Sequence, residues 1–288
     1  MPRVSVIVSH YSRQALLREA LASIAAQSFR DFEVIVVNDH GVDSRAQVAD
    51  FAATLAGTPA PRVRYEYRSV NGGVAATRNR GLDLARGDLI AYLDDDDLWR
   101  PNHLAGLVAA LDAHPDAGLA YGNAEIWRMA RHGAEGEWRV AGRRRLAVPF
   151  DREALRRDDF IVPGGMVHRR ALADAVGRFD EGLSVSDDWD WLLRAAEVAR
   201  FVHLPRIVIT VRIWPAGGNL SARVDADRWA AIARLERRHS LPRIQPKTFW
   251  EVAATYGSAG LDRTSRAAGG PEALPRDEVG SDRPGSTS

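Results

Sequence analysis

The chain has 288 residues, 45% apolar and 27% charged, with 39 Lys and Arg against 38 Asp and Glu. That length can bury a full core, and a formal net charge of +1 supplies no general basic field of the kind nucleic-acid binding needs. There are no cysteines, which excludes a disulfide framework, thiolate metal sites and a cysteine nucleophile, and fits a cytoplasmic protein. No apolar run reaches bilayer-spanning length, so work at the inner face of the cell membrane would need peripheral contact; Arg143-Arg144-Arg145 and Arg156-Arg157 are the basic runs available for it.

The first hundred residues alternate in period. Residues 4–9 (VSVIVS) read as a buried strand, and 16–27 as a helix with Leu17, Leu21 and Ile24 on one stripe. A second buried strand, 32–38, ends in Asn38-Asp39. A helix over 44–56 is broken at Pro59-Ala60-Pro61, and a third strand follows at 63–67. Asn71-Gly72-Gly73 opens a helix over 74–85, Gly87 stops it, and 89–93 is the fourth strand. Strand and helix in strict turn predict an α/β fold with a doubly wound, mostly parallel sheet. In such sheets ligands sit beyond the carboxyl ends of the strands. Those ends are Ser9-His10-Tyr11, Asn38-Asp39, residues 68–71 and the run Asp94-Asp95-Asp96-Asp97, all polar, which predicts one crevice. Further on, helices are expected at 102–112, 170–177, 187–199 and 225–239, and strands at 119–127 and 206–213, with a charged hairpin or loop over 128–150. From Gly257 onward 14 of 32 residues are Gly, Pro or Ser, the composition of a disordered tail.

The aspartate quartet closes an apolar strand. Alternation along an extended segment sends Asp94 and Asp96 one way and Asp95 and Asp97 the other, so one pair suits a hard cation such as Mg²⁺ or Mn²⁺. The competing reading is a solvated acidic turn that caps the next helix, a task that suits Asp97. Asp39 fits either a contact to a nucleobase or ribose or an Asx turn with Gly41. Asn71-Gly72-Gly73 leads into a helix N-terminus that favours an anion, yet does not match G-x-G-x-x-G. Arg78, one turn into that helix beside an apolar stripe, needs a carboxylate or phosphate partner. A second acidic cluster, Asp187-Asp188-Trp189-Asp190-Trp191, starts a helix, where carboxylates serve as caps or, beside aromatic rings, as a general base.

These segments together resemble the family 2 glycosyltransferases, inverting enzymes of the GT-A fold. The matching stretches are VSVIVSHYSR, LREALASIAAQSFRDFEVIVVND, NGGVAATRNRGLDLARGDLIAYLDDDDLWRP, GGMVHRRAL, VGRFDEGLSVSDDWDWLLRAAE and VHLPRIVITVRIW, spanning residues 3–221. The resemblance implies a Rossmann-like nucleotide-sugar-binding half at 1–100 and a smaller acceptor-binding and catalytic half at 101–240 of one domain, before the tail at 257–288. It implies glycan biosynthesis from a nucleotide-sugar donor, most often UDP-linked, with a divalent metal, Mg or Mn, as cofactor. On the donor side it points to Ser9, Tyr11, Asp39, Asn71, Gly72, Arg78, Asn79, Asp94 and Asp95. Asp96, with Asp94, becomes the metal-binding DxD element. Asp188 takes the place of the general base, with Asp187 its neighbour, and Gly164, Gly165, Trp189 and Trp191 fall to the acceptor, a glycan, lipid-linked or small molecule. One departure stands out: the family's Tyr-Arg-x-His histidine is replaced by Trp214, which transfers attention to Asn219 and Ser221 in the loop that follows. The competing functions are a nucleotidyltransferase and a non-catalytic nucleotide-sugar-binding protein.

Overall fold

Seven-residue runs rich in Val and Ile make β1 (Val4–His10) and β2 (Phe32–Asn38), and every residue of both is buried. Helices α1 (Gln14–Ala25), α2 (Arg45–Thr54) and α3 (Gly73–Leu84) connect them to β3 (Arg62–Tyr67), a half-exposed edge strand, and to β4 (Leu89–Asp94). These four strands are parallel in the order β3-β2-β1-β4. Their register pairs His10 with Asn38, Asn38 with Tyr67, and Ser9 with Asp94, so the polar ends finish level with one another. The computed structural model describes residues 1–55, 62–132, 136–215 and 224–257, all within one compact unit, Met1–Gly257. The expected tail beyond Gly257, and Asn219 and Ser221, lie outside the described residues.

The second half extends the same sheet. It adds β5 (Leu98–Trp99), α4 (His103–Ala113), β6 (Ala117–Arg131), β7 (Trp138–Leu146), α5 (Arg152–Leu155), a 3₁₀ turn at Pro163–Gly165, β8 (Met166–Arg169), α6 (Arg170–Val176), α7 (Asp187–Val198), β9 (Arg200–Ile213), α8 (Ala226–His239) and α9 (Phe249–Tyr256). Among the described residues the sheet has nine strands and continues β4-β8-β6-β9-β5, with β7 paired to β6. β8 runs antiparallel to both neighbours, while β6 and β9 are parallel. The charged stretch after Trp127 is therefore a true hairpin. β9 is longer than its sequence signal because Pro205, which has no N–H to give a ladder, sits where the β6–β9 register shifts between Leu204 and Ile207.

Candidate active site

The level strand ends open into a crevice of about 620 Å³ that borders both halves of the sheet. Ser9, Tyr11, Asp39, Asn71, Arg78, Asp94, Asp96, Gly164 and Asp188 line it, bringing most of the residues singled out in the sequence together. Three non-glycine residues with left-handed backbone, Ser12, His40 and Ser186, sit in the turns around its mouth. Strain of this kind persists only where the surroundings over-determine it.

On the donor side, Asp39 is buried and accepts from the backbone N–H of Gly73 (2.7 Å) and Gly72 (3.0 Å) and from the Arg68 guanidinium. The helix N-terminus that the sequence offers to an anion is thus held by a carboxylate of the chain itself, with Gly73 at φ +82°, a conformation open to glycine at little cost. The Asx turn onto Gly41 exists, but Asn38 makes it, accepting from the Gly41 N–H at 2.7 Å. Asn71 donates to the Asp39 carbonyl oxygen (3.0 Å), and Gly72 is exposed beside the Arg68 guanidinium rather than lining the crevice. Ser9 is buried with its hydroxyl unpartnered, and Tyr11 is half exposed.

Arg78 is the pivot. Its side chain is buried, donates through one nitrogen to Asp187 (2.9 Å) and through the other to Asp94 (3.2 Å), and stacks over the Phe179 ring at 5.6 Å. Its Nε is buried without a hydrogen-bond partner. Asn79 does not reach the crevice. Its amide donates to the Phe179 carbonyl (3.0 Å) and to Glu181 (2.8 Å) and accepts from the Phe179 N–H, pinning the segment that supports the Phe179 ring.

The quartet does not keep the alternation of a strand, because β4 ends at Asp94 and a turn begins. Asp95 is fully buried, accepting from His10 (2.7 Å) and the Tyr11 N–H (3.1 Å) and pairing with Arg13, so it supports the crevice from behind. Asp96 receives Arg13 at 2.6 Å. Burial raises the Asp96 carboxyl to about 7 against the pull of Arg13, with Asp95 and Asp94 pushing the same way as burial. Asp97 does not cap a helix: it accepts the Arg212 N–H (3.1 Å) and so ties the turn to β9, with burial raising its carboxyl well above the ordinary range.

Among the described residues no group of three or more His, Cys, Asp or Glu side chains is gathered as a metal cage. The chemistry of the donor set nevertheless fits a divalent cation: Asp94 and Asp96 are hard oxygen donors on one crevice wall, leaving further positions to a ligand's phosphates. Trp214 can add nothing to that set. Its indole packs edge-on against Trp138 of β7 at 5.0 Å and under the Arg212 guanidinium at 5.6 Å.

At the start of α7 the Asp187–Asp188 pair divides. Asp187 is turned into the protein and bound by Arg78, and burial, opposed by Arg78, raises its carboxyl to about 7. Asp188 is partly exposed in the crevice and accepts the Trp189 N–H at 2.9 Å. The two tryptophans expected at the acceptor are a correction. Trp189 donates to the Leu155 carbonyl (2.7 Å), Trp191 to that of Gly177 (3.0 Å), and both indoles are buried in the core. On a helix each residue turns about 100° from the last, so neighbours of a crevice-facing Asp188 face inward. Gly164 lines the crevice and accepts from the Trp99 indole (2.7 Å), whereas Gly165 is buried behind it.

The structure adds Arg13, Asp159 and Arg228, none of them expected, to the crevice wall. Asp159 has one carboxylate oxygen buried without a hydrogen-bond partner, and burial, then Asp188, raise its carboxyl well above the ordinary range while Arg228 opposes. The Asp158-Asp159 doublet directly before apolar Phe160-Ile161 was the available signal, masked by the basic pair in front of it.

The parallel donor half, the crevice over its strand ends and the inserted antiparallel strand belong to the GT-A class of folds. A mannosyltransferase of Pyrobaculum calidifontis, solved with GDP-Man and Mn²⁺, superposes with a TM-score of 0.63 at 21% identity, over 88% of this chain and 68% of that one. TarS of S. aureus, solved with UDP, gives 0.55 at 23% identity over 74% of this chain and 61% of that one. Residues 5–174 match the family Glycosyl transferase family 2, and the chain belongs to it. The uncharacterized glycosyltransferase YwdF of Bacillus subtilis is 31% identical over 247 residues, covering 86% of this chain and 88% of that one.

Proposed function

We propose that the protein moves a hexose from a nucleoside-diphosphate sugar, with UDP-linked donors the first to try, to an acceptor hydroxyl with inversion of configuration. The observation that carries this reading is the division of the acidic pair: Asp188 faces the crevice while Arg78 ties Asp187 to Asp94. One carboxylate is thereby available to the acceptor, and the other holds the arginine beside the donor wall.

Asp188 takes the proton of the acceptor hydroxyl. The oxygen's electron pair forms a bond to the anomeric carbon from the face opposite the leaving group, and the broken carbon–oxygen bond leaves its pair on the nucleoside diphosphate. Arg78, Arg13 and Arg228 line the crevice where that negative charge develops. A divalent cation held by Asp96 and Asp94 supplies Lewis-acid neutralisation of the leaving diphosphate when bound. Asp39, Asn71 and Ser9 frame the nucleoside. Asn79, Asp95 and Gly165 act behind the wall as supports, and the Gly72 N–H holds Asp39. We assign the reaction to the cytoplasm, with a lipid-linked acceptor met at the inner membrane face. TarS, solved with UDP, supports the choice of base.

Asp188→Asn tests the reading. Transfer falls by about 10²–10⁴-fold, UDP affinity is unchanged, and the wild-type product carries the inverted anomer by NMR with UDP as co-product. Near wild-type turnover in the variant removes Asp188 as base, and release of pyrophosphate indicates a nucleotidyltransferase instead.

A further inference from the structure

The strongest charge asymmetry of the molecule lies away from the crevice walls, on the β6–β7 hairpin. Between Arg128 and Arg145 the sequence has six arginines and two glutamates in a chain whose total is +1, so the rest of the protein is net negative. β7 pairs with β6 alone among the described residues and is an open edge. Because the ladder shifts register at Arg128/Met129, exposed Arg143 and Arg145 of β7 share a face with exposed Arg131 of β6, while Arg139 falls on the other face with half-buried Gly142 and Arg144.

The half-buried side is already covered. Arg144 lies over the Trp250 ring at 4.0 Å and donates to the Trp250 carbonyl at 2.6 Å, and a Cβ on Gly142 would stand 3.0 Å from the same indole. The exposed side has no such cover. Glu125, opposite Arg145 on β6, is taken by Arg100 and the Trp127 indole. Among the described residues no carboxylate pairs with Arg131, Arg143 or Arg145, and the three lie on the face away from Trp250. Aromatic planes hold the cations in place: Arg143 over Trp127 at 4.7 Å and Arg131 over Trp138 at 5.0 Å. Guanidinium groups fixed on indoles give up less freedom when they meet phosphate, and the pairing of Trp with Arg suits a membrane interface.

The geometry points to this edge as a docking surface for an anionic bilayer, with the guanidinium groups on acidic phospholipid headgroups. Arg145, Arg143 and Arg131, spread over a seven-residue length of the β6–β7 ladder on one face, cover about 20 Å along a line rather than around a groove, which matches a planar array of phosphates better than a single soluble chain. The edge also adjoins the crevice rim. Trp138 abuts Trp214, whose neighbour Arg212 donates to the Asp96 carbonyl, and α9 contributes Phe249 to the crevice and Trp250 to the hairpin. Resting on the transferase reading, docking here presents the crevice to a lipid-linked acceptor.

Co-sedimentation of the full chain with vesicles of phosphatidylcholine, with and without about one-third phosphatidylglycerol, tests the surface without donor or acceptor. We expect binding only to the anionic vesicles, release at high salt, and a loss of about a hundredfold in affinity for R131E/R143E/R145E. Arg45→Glu, on an exposed arginine of α2, serves as control and keeps the affinity. Single reversals at Arg131 and Arg145 replace the triple variant if it fails to fold. No binding to anionic vesicles, or equal binding by the reversed variants, overturns the proposal. Retention on soluble polyphosphate without vesicle binding overturns it too and hands the surface to an anionic polymer. UDP titration of the reversed variants separates this outcome from a failure of the transferase reading, since none of the three residues lines the crevice.

Discussion

Replacing Arg78 with Lys probes the charge geometry of the site most sharply. The guanidinium bridges a crevice-lining carboxylate, Asp94 at 3.2 Å, and an inward-turned one, Asp187 at 2.9 Å, and is itself buried over Phe179. A lysine ammonium is a point charge on a flexible stem and reaches one of the two. One charge-assisted hydrogen bond is lost, worth about 1.5–3 kcal/mol, and the carboxylate left over is either buried Asp187 or partly exposed Asp94. Arg78→Ala removes both bonds and strands two carboxylates, for which about 3–5 kcal/mol is the ordinary loss. For a folded unit of this size, about 2 kcal/mol lowers Tm by about 4–8 °C. Differential scanning calorimetry of the Lys variant, with and without UDP, is the assay. The variant melts several degrees lower, and, on the proposed donor role of Arg78, UDP raises its Tm less than it raises that of the wild type. An unchanged Tm would mean that the buried bridge contributes nothing net. An unchanged UDP response would remove Arg78 from the donor wall.

Two further outcomes follow from the same network. Asp96→Ala lowers Mn²⁺-dependent UDP affinity in calorimetry while leaving metal-free affinity close to wild type; equal affinities with and without Mn²⁺ in the wild-type protein would sink the metal assignment. Asp190→Asn tests a clamp between α7 and α8, where a fully buried carboxylate accepts from Arg194 (2.9 Å), Arg238 (2.8 Å) and His239 (2.9 Å). Although burial alone would raise it, hydrogen bonds from His239, Arg238 and Arg194 hold the Asp190 carboxyl well below the usual range. A depressed folded value gives stability that is complete above about pH 4 and is lost as pH falls toward the depressed value. The variant is therefore less stable by about 2–4 kcal/mol at neutral pH, and in urea titrations its gap from wild type narrows below about pH 4; a constant gap across pH refutes the linkage.

The first half was readable because local and global signals agree there. β1, β2 and β4 are buried on both faces, so their sequences are apolar runs, and α1 carries a plain stripe of Leu17, Leu21 and Ile24. The second half resists such reading. β8 is four residues long and owes its place between β4 and β6 to tertiary pairing, and β9 begins with Arg200 and crosses a proline, so its first third has no strand signature. The same division holds in the site. Asp188 announces itself by its place in the first turn of an amphipathic helix. Asp159 and Arg228 come from segments about seventy residues apart and meet only in the folded crevice, while Trp189 and Trp191 were drawn to the acceptor by nearness in sequence, which on a helix is not nearness in space.

The charge inventory of the crevice explains why so many arginines lie behind its carboxylates. Asp39, Asp94, Asp96, Asp97, Asp159 and Asp188 line it against Arg13, Arg78 and Arg228. Each acid on the donor wall has a cation of the protein on it or beside it: Arg68 on Asp39, Arg78 on Asp94, Arg13 on Asp95 and Asp96. Even so, burial first, and then neighbouring carboxylates, displace Asp96, Asp97, Asp159 and Asp187 upward, so the arginines do not fully offset the cost of their charge. On the proposed function, a diphosphate entering this wall adds negative charge that has to be compensated. Three sources are at hand: protons on the raised carboxyls, arginines released from their present partners, and a cation brought in with the donor. They differ in their pH dependence. Proton uptake makes donor affinity fall as pH rises through about 7, whereas a cation on Asp96 and Asp94 makes it rise over the same interval, because the metal needs the ionised form. The slope of UDP affinity between pH 6 and pH 8, measured with and without Mn²⁺, therefore reads out which compensation the crevice uses.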